Sequence, residues 1–142
     1  MYEFLQYQVA DVMTRQPVTV EPETSLAELE ALFARHDFNG VPVTDKDARL
    51  VGLATKFDLL KAFTFSTGSK IPRYDEIMRQ PVFSVMTREP VTVAPELPLT
   101  RVLQKMLEMR NKSFPVEENG RLVGMIARED LLAGLRRSTG HV

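Results

Sequence analysis

Two stretches of this 142-residue chain place a carboxylate three residues after a turn position, just before an apolar run. The first is Gly52-Leu53-Ala54-Thr55-Lys56-Phe57-Asp58-Leu59, and the second is Gly124-Met125-Ile126-Ala127-Arg128-Glu129-Asp130-Leu131. Thr55 reads as a junction where a strand ends and a helix begins. There the first-turn N–H groups and the positive end of the helix dipole face outward, an arrangement that holds phosphate. Asp58 would repel a phosphate. A carboxylate one turn along accepts two hydrogen bonds instead, which fits the 2′- and 3′-hydroxyls of a ribose. Gly52 lets backbone approach closely. The same letters have a second reading, because Thr-x-x-Asp is also a capping box variant. The tetrapeptide leaves both open, and the two roles can coexist. In the second stretch Ala127 stands where Thr55 stands, so the hydroxyl is lost, while Asp130 remains and Arg128 offers charge.

Other chemistries lack their residues. There is no Cys, which excludes disulfides, thiolate catalysis and Cys-ligated zinc, and two histidines, His36 and His141, do not make a His-rich metal site. No Ser-His-Asp set, paired carboxylates in a cleft or P-loop is present, so no enzyme is expected. Lys and Arg total 18 against 19 Asp and Glu, a net charge of −1, which disfavours a broad nucleic-acid or membrane surface. The apolar share of 44% and charged share of 26% are those of a soluble globular protein. No run approaches the roughly 20 apolar residues of a membrane span, so no membrane insertion is expected. The start MYEFLQYQVADVM lacks a basic stretch followed by an apolar one, so it does not read as a signal peptide, and a cytoplasmic location is expected.

The elements that position the two carboxylates come from an internal duplication. Val12-Met13-Thr14-Arg15-Gln16-Pro17-Val18-Thr19-Val20 recurs as Val85-Met86-Thr87-Arg88-Glu89-Pro90-Val91-Thr92-Val93. Pro42-Val43 then matches Pro115-Val116, Leu50-Val51-Gly52 matches Leu122-Val123-Gly124, and Asp58-Leu59-Leu60 matches Asp130-Leu131-Leu132. Two copies, each too short to bury both faces alone, are expected to pack as one unit. Each copy reads β-α-β-β-α, an α/β (α+β) fold with a mixed sheet and helices on one side. Pro-Val-Thr-Val is the first β segment. The first helix starts near Thr24 or Leu97, with apolar stripes of Leu26, Leu29, Leu32 and Phe33, and of Leu99, Val102, Leu103, Met106 and Leu107. Val41-Pro42-Val43 and Phe114-Pro115-Val116 read as short buried strands. Polar turns follow at Asp45–Arg49 and Glu117–Arg121, then return strands. Second helices are expected at Phe57–Phe63 and Asp130–Arg136. The copies span residues 9–63 and 82–136, with a linker over 64–81 that is mobile at its Gly/Ser part and carries a short helix at Tyr74–Met78. The tail from Ser138 is expected to fray. His36 reads as a helix C-terminal cap, Glu21, Glu23, Glu28 and Glu30 as a solvated face, and Met106 and Met109 as core or partner contacts.

These motifs, in order and twice, resemble a tandem pair of CBS domains, the Bateman module. The carrying residues are the Val-Met-Thr…Pro-Val-Thr-Val openings, the Val-Pro-Val centre, and the Gly52–Leu59 run. The resemblance covers about residues 9–136. It implies a regulatory module that binds adenosine-containing ligands (AMP, ADP, ATP or S-adenosylmethionine) in a cleft between the repeats, with no catalytic cofactor. It also implies a homodimer and a separate regulated protein. By resemblance, Thr55 and Asp58 would be joined at the nucleotide by Val18, Thr19, Asn39, Gly40, Val41, Pro42 and Lys112. A second, weaker site would use Asp130, Arg128, Val91, Thr92, Ser113, Phe114 and Pro115, because Ala127 departs from the family pattern. Val41 and Phe114 also fit plain core packing, and Lys112 and Arg110 fit a solvated surface. The rival expectation is a ligand-free dimerising scaffold.

Overall fold

The computed structural model describes residues 2–64 and 73–140; the Gly/Ser part of the expected linker and the last two residues of the tail lie outside them. Helix α1 (Tyr2–Gln6) precedes the first copy, and α2 (Val9–Val12) opens it. The first copy holds β1 (Thr14–Arg15), α3 (Leu26–Arg35), β2 (Gly40–Thr44), β3 (Leu50–Thr55) and α4 (Lys56–Lys61). The expected short helix forms as α5 (Tyr74–Met78). The second copy follows with β4 (Thr87–Arg88), α6 (Leu99–Met109), β5 (Ser113–Glu118), β6 (Arg121–Ala127) and α7 (Arg128–Ser138).

The chain folds into two compact units whose limits are offset from the repeats. One is Val18–Glu89; the other joins Met1–Pro17 to Pro90–Val142. The reason is an exchange of openings. In the first unit the sheet runs β2-β3-β4, all antiparallel, so the strand that opens copy two, β4, lies along β3 of copy one. In the other unit the order is β1-β6-β5, so the opening of copy one lies along β6 of copy two. The lead-in helices are exchanged as well. Ile77 and Met78 of α5 pack into the core of the first unit with Leu26, Leu29, Val41, Val43 and Ala54. Phe4, Val9 and Met13 pack into that of the second with Leu99, Val102, Met106, Phe114, Val116 and Ile126. Burying each such side chain contributes about 1.5–3 kcal/mol.

Glycine makes the exchange fit. A Cβ on Gly52 would lie 2.5 Å from Met86 Sδ and 3.0 Å from the Thr87 carbonyl oxygen. On Gly124 it would lie 2.8 Å from both Met13 Sδ and the Thr14 carbonyl oxygen. The close approach that Gly52 permits is therefore used by β4.

Several elements differ in extent from the sequence expectation. Pro-Val-Thr-Val does not extend into a strand. Val20 alone bridges Val43 in parallel, its N–H donating to the Pro42 carbonyl at 3.1 Å, and Val93 repeats this with Val116. Pro42 and Pro115 on the facing strands have no N–H to extend the ladder, which limits each segment to one bridge. Helix α3 begins at Leu26 because Ser25 is its N-cap, accepting from the Glu28 N–H at 3.2 Å. Helix α6 begins at Leu99, with Pro98 as N-cap. The second helices start at Lys56 and Arg128, directly on the strand ends, and α7 reaches Ser138. In α6 the buried stripe is Leu99, Val102 and Met106, whereas Leu103 and Leu107 are 39% and 72% exposed.

Candidate functional site

Each sheet delivers one carboxylate to the turn between its central strand and the following helix. In the first unit β3 ends at Thr55, which is paired with Gly40 at the start of β2. Thr55 Oγ1 accepts from the Asp58 N–H at 3.1 Å, and the Thr55 N–H donates to Asp58 Oδ2 at 3.0 Å. This is a complete capping box. Asp58 is nonetheless buried, and a buried carboxylate requires partners. It has two more. Lys61 Nζ donates to Oδ1 at 3.0 Å, and the Thr87 hydroxyl donates to Oδ2 at 3.3 Å. Thr87 belongs to β4, placed by its register opposite Leu53. Neither partner was anticipated from sequence. Lys61 carries a local signal, since an i,i+3 acid–lysine pair on one helix face is visible in the letters. Thr87 carries none, because it comes from the other copy's opening.

The second unit repeats the turn with fewer supports. Ser113 pairs with Ala127, as Gly40 does with Thr55. The Ala127 N–H donates to Asp130 Oδ2 at 2.8 Å, but alanine offers no oxygen in return, so the box is half complete. At the position equivalent to Lys61 the second copy has Ala133. Burial pushes the Asp130 carboxyl above its ordinary value of 3.8; the Ala127 N–H opposes this and Glu129 adds to it. Arg128, expected to supply charge, pairs through Nε with Glu129 Oε1 at 3.2 Å on the surface.

The remaining expected residues divide between core and surface. Val41 and Phe114 are fully buried and belong to the hydrophobic cores. Gly40, Pro42, Ser113 and Pro115 are buried in β2 and β5. Asn39 is half-buried just before β2. Val18 and Thr19 are exposed, as is Val91, and Thr92 is half-buried. Thr19 opens onto an open groove of about 400 Å³ beside α3, shared with Glu21, Glu28, Leu32 and Arg35; neither Thr55 nor Asp58 lines it. Lys112 lies in the unit that carries Asp130, where its carbonyl accepts the Arg128 N–H at 3.0 Å. His36 is the C-cap of α3, its N–H donating to the Leu32 carbonyl, and its ring stacks on Phe38 at 4.7 Å. Among the described residues no group of three His, Cys, Asp or Glu is placed to hold a metal ion, and no helix is long and apolar enough to cross a membrane.

Comparison with known proteins gives a consistent result. The CBS domain family matches residues 9–64 and 76–137. A CBS-domain-containing protein from Agrobacterium tumefaciens superposes with a TM-score of 0.75 at 30% identity, covering 91% of this chain and 99% of that one. The CBS domain pair of the protein MJ0100, solved with 5′-methylthioadenosine and S-adenosyl-L-methionine, gives 0.72 at 25% identity, covering 94% and 96%. Inosine-5′-monophosphate dehydrogenase of Mycobacterium tuberculosis is 31% identical over 122 residues, 84% of this chain and 21% of that enzyme. The chain thus spans about a fifth of the length of the enzymes it matches.

Proposed function

This chain belongs to the CBS domain family, and on that premise we propose that it is a regulatory module that binds an adenosine-containing ligand of the AMP, ADP and ATP class. In this reading Asp58 and Asp130 each take the hydroxyls of a ribose. The observation that carries it is Asp58 itself. A carboxylate buried at the end of a central strand and met by Lys61 and by a threonine from the other copy is more than a helix cap needs, since a cap works on the surface. Its recurrence as Asp130, where neither the Thr55 hydroxyl nor the lysine recurs, shows that the acid can be kept without its local partners. The bound nucleosides of the MJ0100 pair, at 25% identity, support the ligand class. In this reading the two acids bind and do not react, and occupancy is the output. Occupancy signals only if ligand favours one arrangement of the protein over another, and a separate regulated protein in the cytoplasm would read that difference.

A thermal-shift screen of AMP, ATP, S-adenosylmethionine and 2′-deoxyadenosine 5′-monophosphate tests this. A ligand at 100 times its dissociation constant adds about 2.7 kcal/mol, which raises the melting temperature by several degrees. The ribonucleotides are expected to shift it and the deoxynucleotide much less, because a site built to bond a hydroxyl rejects the analogue lacking it. No shift by any of them at millimolar concentration would refute ligand binding.

A second reading has an observation of its own. Leu103, Leu107 and Met109 of α6 are exposed, as are Phe57 and Leu60 of α4 and Leu132 of α7. Apolar side chains left outward on several helices suit a dimerising scaffold. Light scattering of the ligand-free protein at micromolar concentration separates the cases: a dimer whose mass ignores every nucleotide, with no thermal shift, is the scaffold.

A further inference from the structure

Resting on the reading that the two carboxylates take ribose hydroxyls, the contrast between Lys61 and Ala133 leads one step further. A ribose diol donates two hydrogen bonds and needs carboxylate oxygens on the outward side of the turn. The Asp58 side chain is 3% exposed, and both its oxygens are engaged. The Thr55 N–H is backbone and fixed by the strand. The Thr87 hydroxyl is held by the register of β4 on β3. Lys61 is different. Its side chain is 58% exposed, and a lysine stem swings into water without moving the backbone. Asp130 has no such occupant. Ala133 cannot reach it, and among the described residues its carboxylate takes one hydrogen bond, from Ala127.

We propose that Lys61 is a built-in occupant of the ribose position at Asp58, displaced when ligand binds, so that the Asp130 turn fills first and the Asp58 turn second. This reverses the order expected from the Thr55 hydroxyl alone, because that hydroxyl is already engaged as the acceptor for the Asp58 N–H. Burial of the Asp130 carboxyl, which raises its pKa, points the same way.

The test is calorimetric titration of the full chain with adenosine. Adenosine has the ribose and no phosphate, so Lys61 gains no anionic partner from it. Asp130→Asn is expected to remove the tighter binding event and leave a weaker one. Adding Lys61→Ala to Asp130→Asn is expected to tighten the remaining event about three- to tenfold, the scale on which a half-exposed ion pair competes. Lys61→Met, which keeps an apolar stem, should do the same and so exclude a packing effect. The proposal is overturned if the remaining event is unchanged or weakened by loss of Lys61, or if Asp58→Asn rather than Asp130→Asn removes the tighter event. Adenosine binding that ignores Lys61 overturns this inference and leaves the ribose reading standing. No heat from adenosine or AMP with any variant overturns both. Melting curves for each variant establish that it is folded.

Discussion

Asp58 and Asp130 stand at equivalent positions, yet their surroundings give them opposite effects on stability. Asp58 is buried with its partners in place, so Asp58→Ala leaves the Thr55 N–H unpaired and frees Thr87 and Lys61. The expected loss is about 2–3 kcal/mol in urea unfolding. Asp130 has its carboxyl raised by burial, so the folded state holds its proton more tightly than the unfolded state does. The stability linked to that proton is complete below pH 3.8 and is lost as pH rises through the raised value. At neutral pH the charged form is therefore a small burden. Asp130→Asn, which keeps an oxygen for the Ala127 N–H, is expected to raise the melting temperature at pH 7 and to gain less at pH 4. The gain should stay under about 1 kcal/mol because the group is half in water. A variant less stable at pH 7 than the parent would contradict this. The capping box was legible because it is written within four consecutive residues. The Thr87 contact was not, since 29 positions separate it from Asp58 and sheet order alone brings them together.

The two-residue strands β1 and β4 are the elements on which each sheet depends and the hardest to see in the letters. Two residues are too few to show a strand's period, so nothing in Thr14-Arg15 or Thr87-Arg88 marks a strand. The hairpins β2–β3 and β5–β6 were legible from their apolar runs and polar turns; both form, although β5 and β6 take Glu117, Glu118 and Arg121 of the expected turn into the ladder. The α6 stripe was only half legible, because periodicity marks an apolar face without saying how much of it is covered. The glycines opposite the short strands give a direct test. Gly52→Ala would press a methyl onto Met86 and the Thr87 carbonyl, and Gly124→Ala onto Met13 and the Thr14 carbonyl. A methionine can move but a carbonyl in a ladder cannot. Each substitution is expected to cost about 1–3 kcal/mol, with faster amide exchange in β3 and β4 or in β1 and β6 respectively. Gly120, whose φ is +80° at the β5–β6 turn, has open space around it, so Gly120→Ala strains only the backbone. It should cost about 1 kcal/mol and leave sheet exchange unchanged.

At the level of the molecule, duplication was the most legible fact, and its consequence for assembly was the least. The repeats show copies too short to stand alone but not which segments they trade; the units that form each borrow a lead-in helix and a strand from the other half's sequence. Removing residues 1–17 should therefore leave Val18–Glu89 intact and unravel the other unit. Its core would lose Phe4, Val9 and Met13, three side chains worth together about 5 kcal/mol or more, the size of a domain's whole margin. Calorimetry of that shortened chain is expected to show one surviving transition of roughly half the enthalpy. A single transition of full enthalpy would show that the borrowed segment is dispensable.

The exchange also sets an order of events in time. Val18–Glu89 is one continuous stretch, complete as soon as residue 89 is available. Thr14 must wait for Met125, its partner more than a hundred residues downstream. On a ribosome, the leading segment with its greasy Phe4, Val9 and Met13 therefore stays unhoused while the middle of the protein is already built. Closing so long a loop is the slow step, and pulse-labelled hydrogen exchange during refolding should see β2 and β3 protected before β1.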